Sequence, residues 1–384
     1  MDFTYSEDQN SIRELSAQVL KDLSTDERLK ELKEQGALFD KELWGQFAES
    51  GLLGMAVPEE FGGSGFGLTE ICLMLEEQGR YVAPMPLLQS LALAGLTLAE
   101  YGSEAQKKQY LTALATGEVI LTAAIQEEGL SNAHKTVLKA EQLGDSWVLN
   151  GERICVPYAE QSAVILVPAT VVDKSSADKK TAVFLVNPKA DGVELNFEES
   201  TNGEPLYTVS FNNTQLTADQ LLADADKGEE VFNYMVDRGN VCLAATQVGV
   251  AEEALRRTVE YTNERKQFGK AISSFQGTTL RCADGYIDVE GMRSTYWQAV
   301  YHLEAGLNAD KEIRAAKYWA CIGGGRVVHT AQHLHGGIGS DLDFPLHRYF
   351  LWSKRNELTL GGGSLQLSKL GAMLADKDQV VNVL

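Results

Sequence analysis

Three segments carry the side chains best suited to holding an anionic ligand with a heterocyclic ring. The first is Glu264-Arg265-Lys266-Gln267-Phe268-Gly269-Lys270, followed by Phe275-Gln276. A helical pattern closes here on a cationic cluster, an aromatic ring and a glycine expected to stop the helix. Such an end can offer a guanidinium to a pyrophosphate and a ring to a stacked base. It can equally be a basic last turn that offsets the helix dipole. The second segment is Gln332-His333-Leu334-His335-Gly336-Gly337-Ile338-Gly339, then Phe344-Pro345-Leu346-His347-Arg348-Tyr349. Its glycines let backbone N–H groups approach a phosphate or an adenosine, or simply turn the chain between helices. The third is Gly361-Gly362-Gly363-Ser364, ahead of a helix expected from Leu365. A glycine loop at a helix start can hold an anion or a thioester oxygen, or act as a linker.

Other chemistries lack their residues. There is no GxxxxGK[ST], no HExxH and no GxSxG in the chain. The Gly336–Gly339 run follows a helical pattern rather than a strand, which argues against a dinucleotide fingerprint of the βαβ type. His329 and His333 stand four apart with His335 behind them, but no carboxylate or cysteine falls at ligand spacing, so no metal site is expected. Cys72, Cys155, Cys242, Cys282 and Cys321 are scattered and odd in number, which reads as reduced, mostly buried thiols. Asn212-Asn213-Thr214 matches a glycosylation sequon by chance.

The elements that must position these segments fall into three blocks of the 384-residue chain. Residues 1–117 are expected to form a helical N-terminal domain. Ser6-Glu7-Asp8-Gln9 fits a capping box ahead of Ile12, Leu15, Val19 and Leu20. Pro58 to Gly65 breaks the run, and Leu68 to Glu77 and Ser103 to Leu114 restart it. Residues 118–225 are expected to form a central β-barrel-like domain. Val119 to Ile125, Trp147 to Asn150, Ala163 to Val172 and Thr181 to Val186 are short β-branched runs, and Tyr207, Val209 and Phe211 alternate with polar neighbours. Gly144-Asp145, Asn150-Gly151 and Asn202-Gly203 read as turns, and Lys174 to Lys180 as a polar loop. Residues 226–384 return to helix. Val248, Ala251, Leu255 and Val259 mark one face of a long helix ending near Gly269, and the patterns Ser274 to Ala305, Asp310 to Gly337 and Leu365 to Ala375 complete a C-terminal four-helix bundle. The fold class is thus α+β and multidomain.

Charge narrows the partners. The formal net charge is −20, and residues 1–225 carry 16 Lys and Arg against 35 Asp and Glu. Residues 226–384 carry 18 against 19, so an anionic ligand is better sought there. Acidity of this size argues against nucleic acid or an anionic membrane as partner. No apolar run reaches the roughly 18 residues of a membrane-spanning helix. The acidic, polar stretch Met1 to Gln9 does not read as a signal peptide, which makes the cytoplasm the expected location.

Taken together, the three segments resemble the acyl-CoA dehydrogenase family, and the resemblance covers the whole chain. The Arg-x-x-Phe-Gly…Phe-Gln and Gln-x-x-x-Gly-Gly-x-Gly motifs, in this order and at this distance, carry it. The family oxidises an acyl-CoA thioester to the 2-enoyl-CoA. A carboxylate takes the α-proton and hydride passes from Cβ to FAD. The resemblance implies an FAD shared across a subunit interface, with Arg265, Gln267, Phe268, Phe275, Gln276, Gln332, Gly336 and Gly337 holding the ADP moiety of a neighbour's cofactor. The flavin-holding half departs from the family. Thr-Glu-Pro-Gly becomes Gln126-Glu127-Glu128-Gly129, and the Trp-x-Thr/Ser wall becomes Cys155-Val156-Pro157. That loses stacking area, a hydroxyl and a backbone donor. The position of the catalytic base is Gly361, and an alternative base position falls near Gly239. No catalytic residue is assigned, although Asp237 and Glu357 lie close enough in sequence to be displaced bases.

One-sided loss implies pairing with a catalytically complete homologue. Tyr158-Ala159-Glu160-Gln161 and the two segments around His335 and Arg348 resemble the baseless subunits of α2β2 acyl-CoA dehydrogenases that shorten steroid side chains. The expected partners are therefore an acyl-CoA substrate, a homologous subunit and an electron-transfer flavoprotein or similar acceptor. The alternatives are a self-sufficient homotetramer with a relocated base, and a non-redox acyl-CoA-binding or structural subunit.

Overall fold

The computed structural model describes residues 4–130, 132–172 and 180–375. In chain order the helices α1 (Glu7–Leu23), α2 (Asp26–Glu34), α3 (Lys41–Glu49), α4 (Leu68–Tyr81), α5 (Leu96–Tyr101) and α6 (Glu104–Ala115) come first. The strands are next: β1 (Ile120–Ala123), β2 (Lys139–Leu143), β3 (Ser146–Pro157), β4 (Ser162–Val172), β5 (Lys180–Val186), β6 (Val193–Glu199), β7 (Pro205–Leu216) and β8 (Leu221–Leu222). The chain ends in α7 (Gly228–Glu264), a short hairpin of β9 (Lys266–Gln267) and β10 (Lys270–Ala271), then α8 (Gln276–Glu304), α9 (Asp310–His335), α10 (Leu346–Leu358) and α11 (Gly363–Ala375). Helical N-terminal part, central sheet and C-terminal bundle are all present as expected. Among the described residues no helix is long and apolar enough to cross a membrane.

The chain divides into two compact units. One holds residues 32–71 and 84–239. Its mixed sheet runs β6-β7-β3-β2-β4-β5-β8, with β1 added in parallel to β4, an open path rather than a closed barrel. The inward faces of β3, β4, β5 and β7 make its core, where Trp147 meets Phe184 at 5.6 Å and Leu149, Val167, Val209 and Phe211 are fully or nearly fully buried. The alternation at Tyr207, Val209 and Phe211 is that of a strand with one wet face. Asn150-Gly151 is not a turn. It lies inside β3, where Gly151 at φ 133° absorbs a register shift against β7. A bulge accepts the same dipeptide that a turn would. Gly63 is the required glycine of the Pro58–Gly65 break, because a Cβ there would collide with the Val57 and Gly54 carbonyls. The Lys174–Lys180 loop lies outside the described residues except for Lys180, which opens β5.

The other unit holds the chain up to Glu31, residues 72–83 and the chain from Asn240 on. The Ser6–Gln9 capping box is formed, with Gln9 N–H donating to Ser6 Oγ at 3.1 Å and Ser6 N–H to Gln9 Oε1 at 3.0 Å. α4 and α7 cross backbone to backbone, since a Cβ on Gly79 or Gly249 would strike the facing helix. Tyr296 donates to the buried Glu76 carboxylate at 2.6 Å across that packing. The four expected bundle helices are α7, α8, α9 and α11. α10 is an additional helix in the segment after Phe344, where Pro345 and the preceding glycines hide a helical start. Val248, Ala251 and Leu255 are buried on α7, but Val259 is 39% exposed.

Candidate cofactor site

α7 ends at Glu264 rather than near Gly269. Beyond it the chain makes a tight hairpin in which Lys270 pairs with Gln267 and Ala271 with Lys266. Its two turn residues, Phe268 at φ 52° and Gly269 at φ 80°, are both left-handed. Two consecutive left-handed residues are what a two-residue turn needs to match the twist of its strands. Phe268 accepts a conformation costly for a bulky residue, and its ring stands 93% exposed. The hairpin is tied back by Ile272 N–H donating to Arg265 O at 2.9 Å. Phe275, at the head of α8, meets the Phe268 ring edge-on at 6.2 Å and lies 4.3 Å from Lys270 Nζ.

The second motif ends α9. Gly336 leaves the helix at φ 65°, and a Cβ at Gly336 or Gly337 would meet open space, so both backbones are approachable. Gln332 Nε2 donates to Ser340 Oγ at 2.7 Å. Gly339 packs closely under this pair, and a Cβ there would sit 2.8 Å from that amide nitrogen and push the Gln332 side chain aside. The two motifs are brought to one end of the bundle by a ring stack. His335 lies on Tyr261 with centroids 4.3 Å apart, and Phe344 closes on both. His335 Nδ1–H donates to Ala331 O at 2.8 Å, and burial pushes the imidazole pKa down, keeping it neutral. Nothing in the local sequence announces this stack. Of the other histidines, His329 meets Phe350 edge-on at 4.9 Å and His333 is exposed.

Arg265, Gln267, Phe268, Gln276, Gly336 and Gly337 are exposed, and Phe275 and Gln332 are half-buried. The set comprises one guanidinium, three amides, two rings and two open glycine backbones, with Lys266 and Lys270 beside them and no carboxylate among the eight. This donor set suits a pyrophosphate with a flanking base.

The other unit carries Gln126–Gly129 and Cys155–Pro157, the segments that the resemblance sets at the flavin wall. Glu127 is buried and spent on structure. It accepts from Val137 N–H at 3.0 Å, Leu138 N–H at 3.2 Å and Thr136 Oγ at 2.7 Å, and pairs with Arg153. Arg153 is fully buried and also donates to Ile125 O at 3.0 Å and to Pro168 O. Burial draws its pKa down to about 10, against the pull of Glu127, so it stays charged at neutral pH. Past Arg153 the strand bulges. Cys155 takes φ 51°, Val156 turns inward, and the Pro157 carbonyl accepts from Thr122 Oγ at 2.7 Å. Tyr158, at φ 53° and buried, rests edge-on against Phe39 at 6.1 Å. The wall therefore offers a thiol at Cys155 and, at Pro157, neither a hydroxyl nor an N–H. No aromatic ring stands at either position to stack on an isoalloxazine.

The two acids near the base positions already have partners. Asp237 Oδ1 lies 2.8 Å from His134 Nε2, and Glu357 accepts from Lys354 Nζ at 2.7 Å. Gly361 sits at φ 97°, and its carbonyl accepts from Gln366 Nε2 at 3.1 Å. The His134–Asp237 and Arg153–Glu127 pairs join residues far apart in sequence and leave no local signal.

Comparison with known proteins agrees with this architecture. The description "Acyl-CoA dehydrogenase, N-terminal domain" matches residues 6–118, and "Acyl-CoA dehydrogenase, C-terminal domain" matches residues 226–374. Acyl-CoA dehydrogenase FadE27 of Mycobacterium tuberculosis is 34% identical over 98% of this chain and 99% of its own. The chain belongs to the acyl-CoA dehydrogenase family. Among solved structures, a variant of the Tcur3481-Tcur3483 steroid ACAD superposes with a TM-score of 0.89 at 38% identity, covering 97% of this chain and 99% of that one. The ChsE4-ChsE5 complex from Mycobacterium tuberculosis gives 0.90 at 35% identity, covering 98% and 100%. As an acyl-CoA dehydrogenase, the protein is an FAD-dependent oxidoreductase.

Proposed function

We propose that this acyl-CoA dehydrogenase chain works as one half of a hetero-oligomer. It supplies the ADP-binding half of an FAD site, and a homologous subunit supplies the flavin seat and the catalytic base. Arg265 would hold the pyrophosphate, the amides of Gln267, Gln276 and Gln332 and the backbones of Gly336 and Gly337 its flanks, and Phe268 and Phe275 the base. FAD, when bound, supplies the hydride acceptor for the Cβ–H bond of the thioester. The observation that carries the reading is the contrast between this exposed, donor-rich surface and the Cys155–Pro157 wall, joined with glycine at positions 239 and 361. The paired states of Asp237 and Glu357 weigh against a relocated base. The similarity to complexes described as Tcur3481-Tcur3483 and ChsE4-ChsE5 supports an α2β2 arrangement, and the word steroid in the first supports a steroid side-chain CoA as substrate. An electron-transfer flavoprotein or similar acceptor would receive the electrons, and the cytoplasm is the proposed location.

The test is flavin stoichiometry and turnover. The chain purified alone should retain little FAD and show no acyl-CoA oxidation. Co-expression with a homologue that has the tryptophan wall and an acidic base should restore both, with one FAD for each pair of unlike chains. Full activity with one FAD per chain, in the absence of any partner, would falsify the reading.

A further inference from the structure

A buried lysine and a buried cysteine lie one turn apart on α9, and the site described above uses neither. Lys317 is 1% exposed and Cys321 3%. Four residues apart on a helix, they share one face. That face meets the end of α10, where Lys317 Nζ donates to Asn356 O and Cys321 Sγ–H to Glu357 O at 3.5 Å. The two acceptors are consecutive carbonyls, so amine and thiol end side by side, and they interact with each other as well. The Gly361–Gly363 turn packs against them: a Cβ on Gly363 would sit 3.2 Å from Cys321 Cβ. A buried cation is ordinarily matched by an acid, yet among the described residues no carboxylate pairs with Lys317. Burial draws its pKa down, which favours the uncharged, nucleophilic amine. Burial pushes the Cys321 thiol up, while Lys317 and the Gly363 N–H pull it back. No other cysteine of the chain has a lysine three or four residues away.

We propose that Lys317 and Cys321 form an oxidative modification site, at which a peroxide joins Sγ to Nζ as a sulfenamide. The Sγ proton first passes to Nζ. The thiolate then attacks one oxygen of hydrogen peroxide, the O–O bond breaks, and the departing hydroxide takes that proton back from Nζ as water. Cys321 is left as a sulfenic acid, a species that condenses with a nearby nitrogen. The Nζ lone pair attacks Sγ, the S–O bond breaks, and the hydroxyl leaves with one N–H proton as a second water. In sum a thiol, an amine and a peroxide give an S–N bond and two waters, with sulfur oxidised and the peroxide reduced. Hydrogen peroxide is also about the size of water, which suits a site this covered. The new bond draws both side chains away from Asn356 O and Glu357 O. The end of α10 and the Gly361 turn then lose these ties to α9, so oxidation is coupled to the order of that turn. None of this depends on the division of labour proposed above.

Peptide mass spectrometry on the full chain tests this. The folded chain is treated with hydrogen peroxide, then unfolded, alkylated with iodoacetamide and cut with trypsin. Unmodified chain is cut after Arg314, Lys317 and Arg326, and Cys321 carries the alkyl group. Modified chain should resist cutting at Lys317 and give the peptide 315–326, unalkylated and lighter than its sequence by two hydrogens. Dithiothreitol should return both the cut and the alkylation. Cys321→Ser and Lys317→Met should each abolish that peptide, whereas Cys155→Ser should keep it. Hydrogen exchange of residues 356–363 should speed up with the modification and slow again on reduction. Cys321 still fully alkylated at a peroxide dose that oxidises Cys155 would overturn the inference. So would a Cys321 that stops at sulfenic or sulfinic acid with Lys317 still cut. Unchanged exchange with the bond formed would overturn its effect on the turn. Should a variant fail to fold, the wild-type peptide decides alone, because a lysine and a thiol that only hold the turn would stay cleavable and alkylated.

Discussion

The hairpin and turn around Arg265 and Gly336 differ from the strand around Cys155 in where their polar chemistry points. In the first, the side chains that could touch a nucleotide face solvent, and the scaffold beneath them is mainly one ring stack of Tyr261, His335 and Phe344. In the second, the scaffold is elaborate. A buried Arg153–Glu127 pair with several backbone partners holds a strand whose outward residues lack ring and hydroxyl. Support and surface have been kept separately in the two regions. On the proposed division of labour, the residues that hold the loop still have to fold it, whereas those facing the flavin position carry no such demand.

Three substitutions would break or sharpen that contrast. The largest effect is expected from Arg153→Met. It strands the Glu127 carboxylate in a buried site, and removing one member of a buried ion pair costs about 3–5 kcal/mol. Thermal denaturation should show a large fall in Tm, with ADP binding by the surviving folded chain intact. Loss of ADP binding without loss of stability would erase the distinction between the two regions. Next comes Arg265→Ala, the reverse case. A charge-assisted contact to a pyrophosphate is worth roughly 1.5–3 kcal/mol, so ADP should bind about tenfold to a hundredfold more weakly in calorimetry at unchanged Tm. The smallest effect is a pH dependence at the stack. His335 has a pKa lowered by burial, so below the ordinary value near 6.5 the unfolded chain takes up a proton that the folded chain refuses. Stability is full above that value and is lost as pH falls toward the depressed one. His335→Phe should remove this part of the acid sensitivity, seen as a shallower fall of Tm from neutral to mildly acidic pH. An unchanged slope would mean that the imidazole titrates no differently in the folded chain.

The legible parts of the fold are those with local causes. Ser6 and Gln9 announce a helix start because both partners of the capping box lie within one turn, and Tyr207, Val209 and Phe211 announce a strand because each sees the same core. The β9–β10 hairpin passes for the end of a helix because two residues a side carry no periodicity, and Lys266 and Lys270 suit a helix end as well as a turn. α10 is hidden because Pro345 and the preceding glycines look like a break, although proline just before a helix restricts the chain as its start requires. The site divides in the same way. The motif residues stand out by type and spacing, but the ring stack and the Arg153–Glu127 pair join residues well separated along the chain.

Gly361 has a consequence for reversibility. Its backbone sits at φ 97°, where any residue with a Cβ is strained. An acid substituted at this turn would have to strain the loop or reshape it, because glycine adopts this φ without the cost of a Cβ. On the proposed division of labour, the proton acceptor comes from the unlike subunit for as long as this turn keeps its shape.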